Sequence, residues 1–393
     1  MKKYVQMIFL KSDWQIEDRK HFIKEVLKIT NDWGDAILVQ LPVSLFVHVF
    51  TKFGTKFLGL FKGKYKTKII EDNVILFTPI ILFHYNIWLK FRLFALVDIF
   101  LLSFQLNNFA KKHYSGKEII LWVCYPRLYP LIRKINHKFL VYDFQDNYDY
   151  DLYGNKLLRE SYFNKEIIRI SNLVICTANI LYKSAVSINK NSILVQNGNN
   201  FNIFSRRVNA TSQNELSDLG KPIVGYLGAV KIILDFDLIN FLIGNIKDVY
   251  FVFIGFLFNN AKVEFRKVLR NPNVIWIKFK EQEELPDYVR RFNVGIMPFK
   301  INKYTEGVFP NKLFEYMAAE VPTVTTALPD LEKYSDYIGY SRSNSEFLAN
   351  CKKAISGECN SRIVNYSKIA EENSWIVKAK VINDQIKSVI GKY

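Results

Sequence analysis

Residues 292–328 read FNVGIMPFKINKYTEGVFPNKLFEYMAAEVPTVTTAL. Val294 to Phe299 is a short apolar run of the kind that forms a buried strand. Gly307 and Pro310 break the polar loop behind it. Asn311 is placed to cap a helix over Lys312 to Ala319, Pro322 ends that helix, and Val321 to Thr326 reads as the next strand. A strand–loop–helix–strand unit of this kind builds a parallel sheet. Ligands of such sheets lie beyond the carboxyl ends of the strands, so the loop after Phe299 and the start of the helix face a ligand. The helix start offers N–H groups that suit a phosphate, and Lys312 adds a charge there. Leu313, Phe314, Met317 and Ala318 form an apolar stripe, with Lys312, Glu315 and Ala319 on a shared face beside it. A carboxylate accepts two hydrogen bonds, so Glu315 can hold the paired hydroxyls of a ribose. By spacing alone, Lys312 and Glu315 also read as an ordinary exposed i,i+3 ion pair.

The segment PNKLFEYMAAEVPTV resembles the signature of family 4-like glycosyltransferases of the two-domain GT-B fold. Members read similarly: a Pro, a Lys, then L-x-E-Y-x-A, a turn and P-x-V. NPNVIWIKFKEQEELPDYVRRFNVGIMPFK resembles the run that precedes this signature, and VGYLGAV the first strand and glycine turn of the donor domain. SNLVICTANILYKSAV and ILVQNGNNFNIF resemble the segment that closes the first domain. The matches keep the family's order over about residues 140–330.

The resemblance implies an α/β fold of GT-B architecture, with two Rossmann-like domains whose parallel sheets face a central cleft. It implies an N-terminal acceptor-side domain over 1–205, a nucleotide-sugar donor domain over 206–375, and a helix over 376–393 packing back on the first domain. The implied reaction moves a sugar from a UDP- or GDP-sugar to a glycan or lipid-linked acceptor in polysaccharide synthesis, with retention and without a bound metal or cofactor. Lys312 would hold the diphosphate and Glu315 the ribose. Glu306, Gly307, Val308, Phe309, Pro310 and Asn311 would line the phosphates and sugar. Gly228 and Lys231 would approach the diphosphate, and Phe279 would border the base. A sugar-nucleotide epimerase and a catalytically degenerate membrane- or partner-binding subunit are the alternatives on the same fold. The sequence departs from the pattern at four places: Gly307 stands where many members carry a Glu, Glu320 replaces a usual Gly, and Asn172 and Asn293 stand where Asp is common.

The chain has 393 residues, enough for two domains, and 49% are hydrophobic. Phe (32) and Tyr (22) are abundant, and the net charge is +17. Such a charge suits an anionic partner: a membrane surface, nucleic acid or phosphorylated substrate. Cys124, Cys176, Cys351 and Cys359 show no C-x-x-C spacing, which argues against a zinc ribbon or disulfide framework and for a reducing, cytoplasmic compartment. No signal peptide or membrane span is expected. Ile80–Ala110 is broken by His84, Lys90, Arg92 and Asp98, and Ile87–Phe104 reads as a core helix.

The N-terminal part opens strand 4–10, helix 16–29 and strand 36–40. His21 lies near the first loop, and reads either as an acceptor-side catalytic candidate or as a structural histidine. Residues 43–68 interleave Phe and Leu with lysine; from Leu41 to Lys117 eleven Lys or Arg face three acids. That pattern suits the inner face of a cell membrane or an aromatic core with a solvated lysine face. The resemblance favours peripheral membrane binding through 43–68; no signature of a nucleic-acid-binding fold is present. Strands over 118–124 and 139–144 lead into YDFQDNYDYD. Its aspartates lack metal-ligand spacing. Asp146 reads as acceptor positioner or general base, or as one more loop-solvating Asp.

Overall fold

The computed structural model describes residues 3–391, apart from 15, 16, 18, 31–33, 46–66, 72, 84–90, 207–212 and 359–362. Two sheets organise them. The first contains β1 (Tyr4–Phe9), β2 (Gly34–Val39), β4 (Thr67–Glu71), β5 (Val74–Phe77), β7 (Glu118–Val123), β8 (Phe139–Phe144), β9 (Leu173–Cys176) and β10 (Ser192–Leu194). A separate short pair is formed by β3 (Val43–Ser44) and β6 (Ile80–Ile81). The first sheet runs β10-β9-β8-β7-β1-β2-β5-β4, parallel except for β4 against β5. The second contains β11 (Ile223–Leu227), β12 (Tyr250–Ile254), β13 (Val274–Ile277), β14 (Val294–Met297), β15 (Thr323–Thr326) and β16 (Gly339–Ser341). It runs β13-β12-β11-β14-β15-β16 and is parallel throughout.

The strands read as continuous apolar runs because both faces of each sheet are covered. FLVYDF of β8 and IVGYL of β11 are buried at every residue. Each sheet reverses its strand order once, between β1 and β7 and between β11 and β14. Those reversals open a crevice at the carboxyl ends, and they fix where ligands can bind.

The chain crosses between the sheets twice, and the crossings are pinned together. Asn199 donates its backbone N–H to Asn373 O (3.2 Å) and accepts from Trp375 N (2.8 Å). Its side chain donates to Ala370 O (2.7 Å). A Cβ at Gly198 would lie 2.6 Å from Asn373 O, so only glycine fits there. The last helix, Trp375–Ile390, then packs on the first domain, with Trp375 against Phe22 of the Lys20–Thr30 helix (5.2 Å between rings) and Ile382 and Ile386 in the same core.

Three expectations need correction. The apolar stretch near residue 90 forms a helix over Arg92–His113, later and longer than 87–104. It is not a core helix: Ala95, Ile99, Leu102, Leu106 and Ala110 are buried, but Leu93, Leu96, Phe100 and Phe104 are 54–70% exposed. By length and composition alone Leu93–His113 could cross a membrane. Its inner face nevertheless joins the first domain's core, and buried Asp98 accepts the backbone N–H of Leu82 (2.8 Å) and Phe83 (3.2 Å). Second, β3, β4, β5, β6 and β16 were not expected; all are short, and VILF at 74–77 is too brief to separate strand from helix by periodicity. Third, Asn311 does not cap: its backbone is already helical and its side chain makes no cap hydrogen bond. Most of 43–68 lies outside the described residues, as do residues 207–212, just past the expected domain boundary.

Candidate active site

At the β11–β14 reversal, Gly228 follows β11 with φ of 123°, a conformation that favours glycine. Above it sits the Lys312 ammonium: a Cβ added to Gly228 would lie 2.9 Å from Nζ and 3.1 Å from Cε. The ammonium also stands over the rings of Tyr226 (5.1 Å) and Phe299 (5.6 Å). Gly255, one strand over, closes the other side, and its added Cβ would strike Gly228 O at 2.5 Å. Two adjacent strand ends thus leave bare backbone beneath a single cation, an arrangement that suits a diphosphate.

The Lys312–Ala318 helix buries Leu313, Phe314, Tyr316, Met317 and Ala318, and Tyr316 OH receives the N–H of Leu227 (2.8 Å). Lys312 and Glu315 are half-buried on the remaining face, over Ala319, as the apolar stripe requires. Burial pushes the Glu315 carboxyl up to about 7, against the pull of Lys312. This is not the ordinary exposed ion pair that spacing alone allowed: both side chains are half-buried, and the Lys312 ammonium lies against Gly228.

Phe279 stacks on Phe256, with ring centroids 4.5 Å apart and planes at 15°. Both stand two residues beyond paired strand ends, Ile254 opposite Ile277, and both are about 40% exposed. They make an aromatic step beside the glycine turn, and a base has such a face to stack on. Phe256 was missed by sequence reading; its signal was a second Phe at the same offset from the neighbouring strand.

The loop 306–311 is engaged otherwise than expected. Glu306 pairs with Lys303 (3.2 Å). Gly307 is buried against the first domain, and an added Cβ would lie 2.8 Å from Asn147 Cβ and 3.1 Å from Leu181. A glutamate there would collide with Asn147 and Leu181 of the first domain as they stand. Val308 is half-buried, while Phe309 is buried, packs on Phe314 and gives its carbonyl to Asn197 Nδ2 (2.8 Å). Pro310 and Asn311 carbonyls accept from Leu313 and Phe314 inside the helix start. The loop therefore closes the domains on one another before it reaches Lys312. Asn147 Nδ2 to Lys303 O (2.7 Å) and Asp330, which accepts from Asn179 N, Asn179 Nδ2 and Gln196 Nε2 (2.7–3.1 Å), belong to the same closure.

Two other departures are conservative in geometry. Asn172 Oδ1 accepts Leu140 N and Asn293 Oδ1 accepts Ile223 N, both at 2.8 Å, so an acceptor oxygen is all these places use. Glu320 adopts φ of 59°, the left-handed conformation that explains a glycine in similar sequences.

Across the cleft, at the β1–β7 reversal, Lys11 follows β1 and its ammonium meets Asp146 Oδ2 at 2.7 Å. Burial opposes ionisation of Asp146, but Lys11, with Lys231 and the Tyr304 hydroxyl, lowers its pKa below the usual range. A carboxylate held this way is a weak base, which favours a positioning role over proton abstraction. Lys11 and Tyr304 were not singled out in the sequence; a lone lysine directly after the first strand was the available signal. Lys231 stands over the Phe258 ring (4.8 Å) and shares a cavity of about 520 Å3 with Lys11 and Asp146. Asp235, by contrast, caps the next helix through Leu238 N (2.9 Å).

His21 does not join this group. It contacts Asn200 Nδ2 (3.1 Å) and lines a small crevice with Glu25, Ser374 and Trp375 at the chain crossings, where burial lowers its pKa. The helix turns this face toward the pinned crossings rather than the cleft. The neighbouring aspartates are also occupied: Asp143 faces Arg19 (3.4 Å), and Asp149 accepts from Lys156, Ser161 and Asn164.

Comparison with known proteins agrees with this fold. Residues 222–353 match the family described as "Glycosyl transferases group 1". The chain is 28% identical over 284 residues, 67% of its length and 71% of the relative's, to TuaH of Bacillus subtilis (strain 168), whose name assigns it to teichuronic acid biosynthesis as a glycosyltransferase. In structure it is similar to sucrose-phosphate synthase of Thermosynechococcus elongatus (TM-score 0.77, 10% identity, 100% of both chains). It is likewise similar to Anabaena Alr3699/HepE in complex with UDP (TM-score 0.66, 12% identity, 98% of this chain and 100% of that one). The two-sheet architecture is the GT-B fold.

Proposed function

We propose that this chain, a glycosyltransferase by its group 1 domain on a GT-B fold, moves a sugar from a nucleotide diphosphate sugar to a lipid-linked or glycan acceptor in building a cell-surface polysaccharide. The observation that carries the reading is the Lys312 ammonium poised over the bare backbone of Gly228, with Glu315 one turn further along the same helix face. The diphosphate lies beside the Gly228 turn against the Lys312 ammonium, with Lys231 as a further cation from the cleft side. Its charge grows as the bond to the sugar breaks, so a fixed cation stabilises the transition state more than the bound donor. Glu315, as carboxylate, accepts both ribose hydroxyls. Phe279 and Phe256 offer the base a ring face, which agrees with the UDP named for the Alr3699/HepE complex. Asp146, fixed by Lys11, orients the acceptor hydroxyl. The donor's charge is met by lysines and backbone N–H groups, and no metal is invoked. Stereochemical retention is part of the proposal, and NMR of the product anomer reads it.

The protein works at the cytoplasmic face of a membrane in this account. Support comes from the net charge of +17 and from the exposed apolar face Leu93, Leu96, Phe100 and Phe104 on the Arg92–His113 helix. The test is transfer itself. Purified protein is incubated with labelled UDP- and GDP-sugars and a bacterial lipid extract, and label is followed into the lipid or glycan product. Transfer with one donor, abolished in Lys312→Ala, is expected. Conversion of donor in the absence of any acceptor would instead indicate an epimerase.

A further inference from the structure

The cavity of about 520 Å3 that holds Lys11, Asp146 and Lys231 at one end continues under the Arg92–His113 helix. We infer that it binds the hydrocarbon chain of a lipid phosphate, with the phosphate at its cleft end; that this lipid carries the acceptor sugar rests on the proposed function above. Ala95, Ile99 and Leu102 of the helix line it together with Pro79, Leu131 and Phe163. The size falls within the usual range for small-ligand sites. At the helix end of the cavity a sugar would set hydroxyls against apolar side chains, at a cost in free energy, whereas a hydrocarbon chain gains from leaving water.

The charge of the lining points to phosphate. Lys11, Arg127, Arg159 and Lys231 border the cavity, with Asp146 as the one carboxylate among its lining residues. Arg127 is held by Glu160 (3.0 Å) and Lys11 by Asp146, while Arg159 lies over the Phe163 ring and Lys231 over that of Phe258. Anions near such a group are favoured, and phosphate is the anion that polar lipids carry. The placement points to a lipid as well. The helix that walls the cavity shows Leu93, Leu96, Phe100 and Phe104 outward, so one helix separates the cavity from an apolar surface suited to a bilayer. A chain drawn from the membrane passes around this helix into the cleft.

The test is a chain-length series on the full protein. Inorganic diphosphate, dimethylallyl, geranyl and farnesyl diphosphate are titrated calorimetrically below their aggregation limits. Affinity is expected to rise several-fold with each added isoprene unit. Ile99→Trp, which fills the cavity, should erase that rise; Leu102→Trp replaces it if the first variant does not fold. Phe100→Ser, on the outer face, should keep the rise and lose binding to anionic phosphatidylglycerol vesicles. Equal affinity along the series overturns the inference. A rise retained in both cavity-filling variants, or lost in Phe100→Ser, also overturns it by placing the lipid outside the cavity. UDP- and GDP-sugars titrated in parallel test the donor reading separately, so a chain-length effect without nucleotide binding rejects that reading alone.

Discussion

The Lys312 ammonium occupies the space that a side chain at residue 228 would take, since an added Cβ would stand 2.9 Å from its nitrogen. Strand end and helix start, 84 positions apart in the sequence, thus meet at one point. Gly228→Ala should displace Lys312 and strain a backbone at φ of 123°. The expected result is a fall in melting temperature of a few degrees, from a cost of about 1–3 kcal/mol. Nucleotide-sugar affinity should fall at least tenfold. Calorimetric stability and donor titration on the same sample measure both.

Donor binding should depend on pH through Glu315. Burial pushes its carboxyl up to about 7, above the ordinary 4.5, and ribose binding needs the carboxylate. Affinity should therefore rise from pH 6 to 8 and level off, with a proton released on binding below 7. Stability without donor runs the other way. A raised acid pKa contributes stability that is fully present below pH 4.5 and lost as pH rises through 7. Glu315→Gln should remove both slopes and weaken donor binding throughout. Titration in buffers of different ionisation enthalpy reads the proton; unchanged pH slopes in Glu315→Gln would reject the assignment.

The stacked pair Phe256 and Phe279 should serve the base and not the phosphates. Phe279→Ala is expected to cost about 1–3 kcal/mol in nucleotide affinity, the range for base–aromatic stacking. Inhibition by inorganic diphosphate should not change. Equal losses for nucleotide and diphosphate would show that the pair supports the fold of the loop instead.

Lys11 and Asp146 should behave as one unit. Both are partly buried, so Lys11→Met or Asp146→Asn alone leaves a charge without its partner, at about 1–3 kcal/mol. The double variant should cost less than the two singles together, and urea unfolding of all four proteins gives the coupling. Because Lys11 keeps Asp146 ionised, its protonation should not produce an acidic limb in the activity profile between pH 5 and 7. Such a limb, lost in Asp146→Asn, would contradict the positioning role.

The second domain was readable because its strands are short apolar runs closed by Gly, Asn or Pro, and because Lys312 and Glu315 lie beside an unbroken apolar stripe. Their face follows from that local pattern. Gly307 was not readable: its neighbours Asn147 and Leu181 lie more than a hundred residues earlier, and only domain closure brings them together. Lys11 and Asp146 are hidden for the same reason, since their contact spans 135 residues. The Arg92–His113 helix misled because apolar composition alone does not tell a buried helix from one with an exposed apolar face; only the packing of Ala95 and Ile99 against Leu93 and Phe100 in the open separates the two.

The central claim is that Lys312 and Glu315 hold a nucleotide diphosphate sugar. Its most direct measurement is thermal unfolding of the purified protein against UDP-, GDP-, ADP- and CMP-sugars. A ligand at a hundred times its Kd adds about 2.7 kcal/mol of stability. The account predicts a clear rise in Tm with one diphosphate-linked base, lost in both Lys312→Ala and Glu315→Ala. No rise with any of these donors, or a rise that survives in both variants, would contradict it.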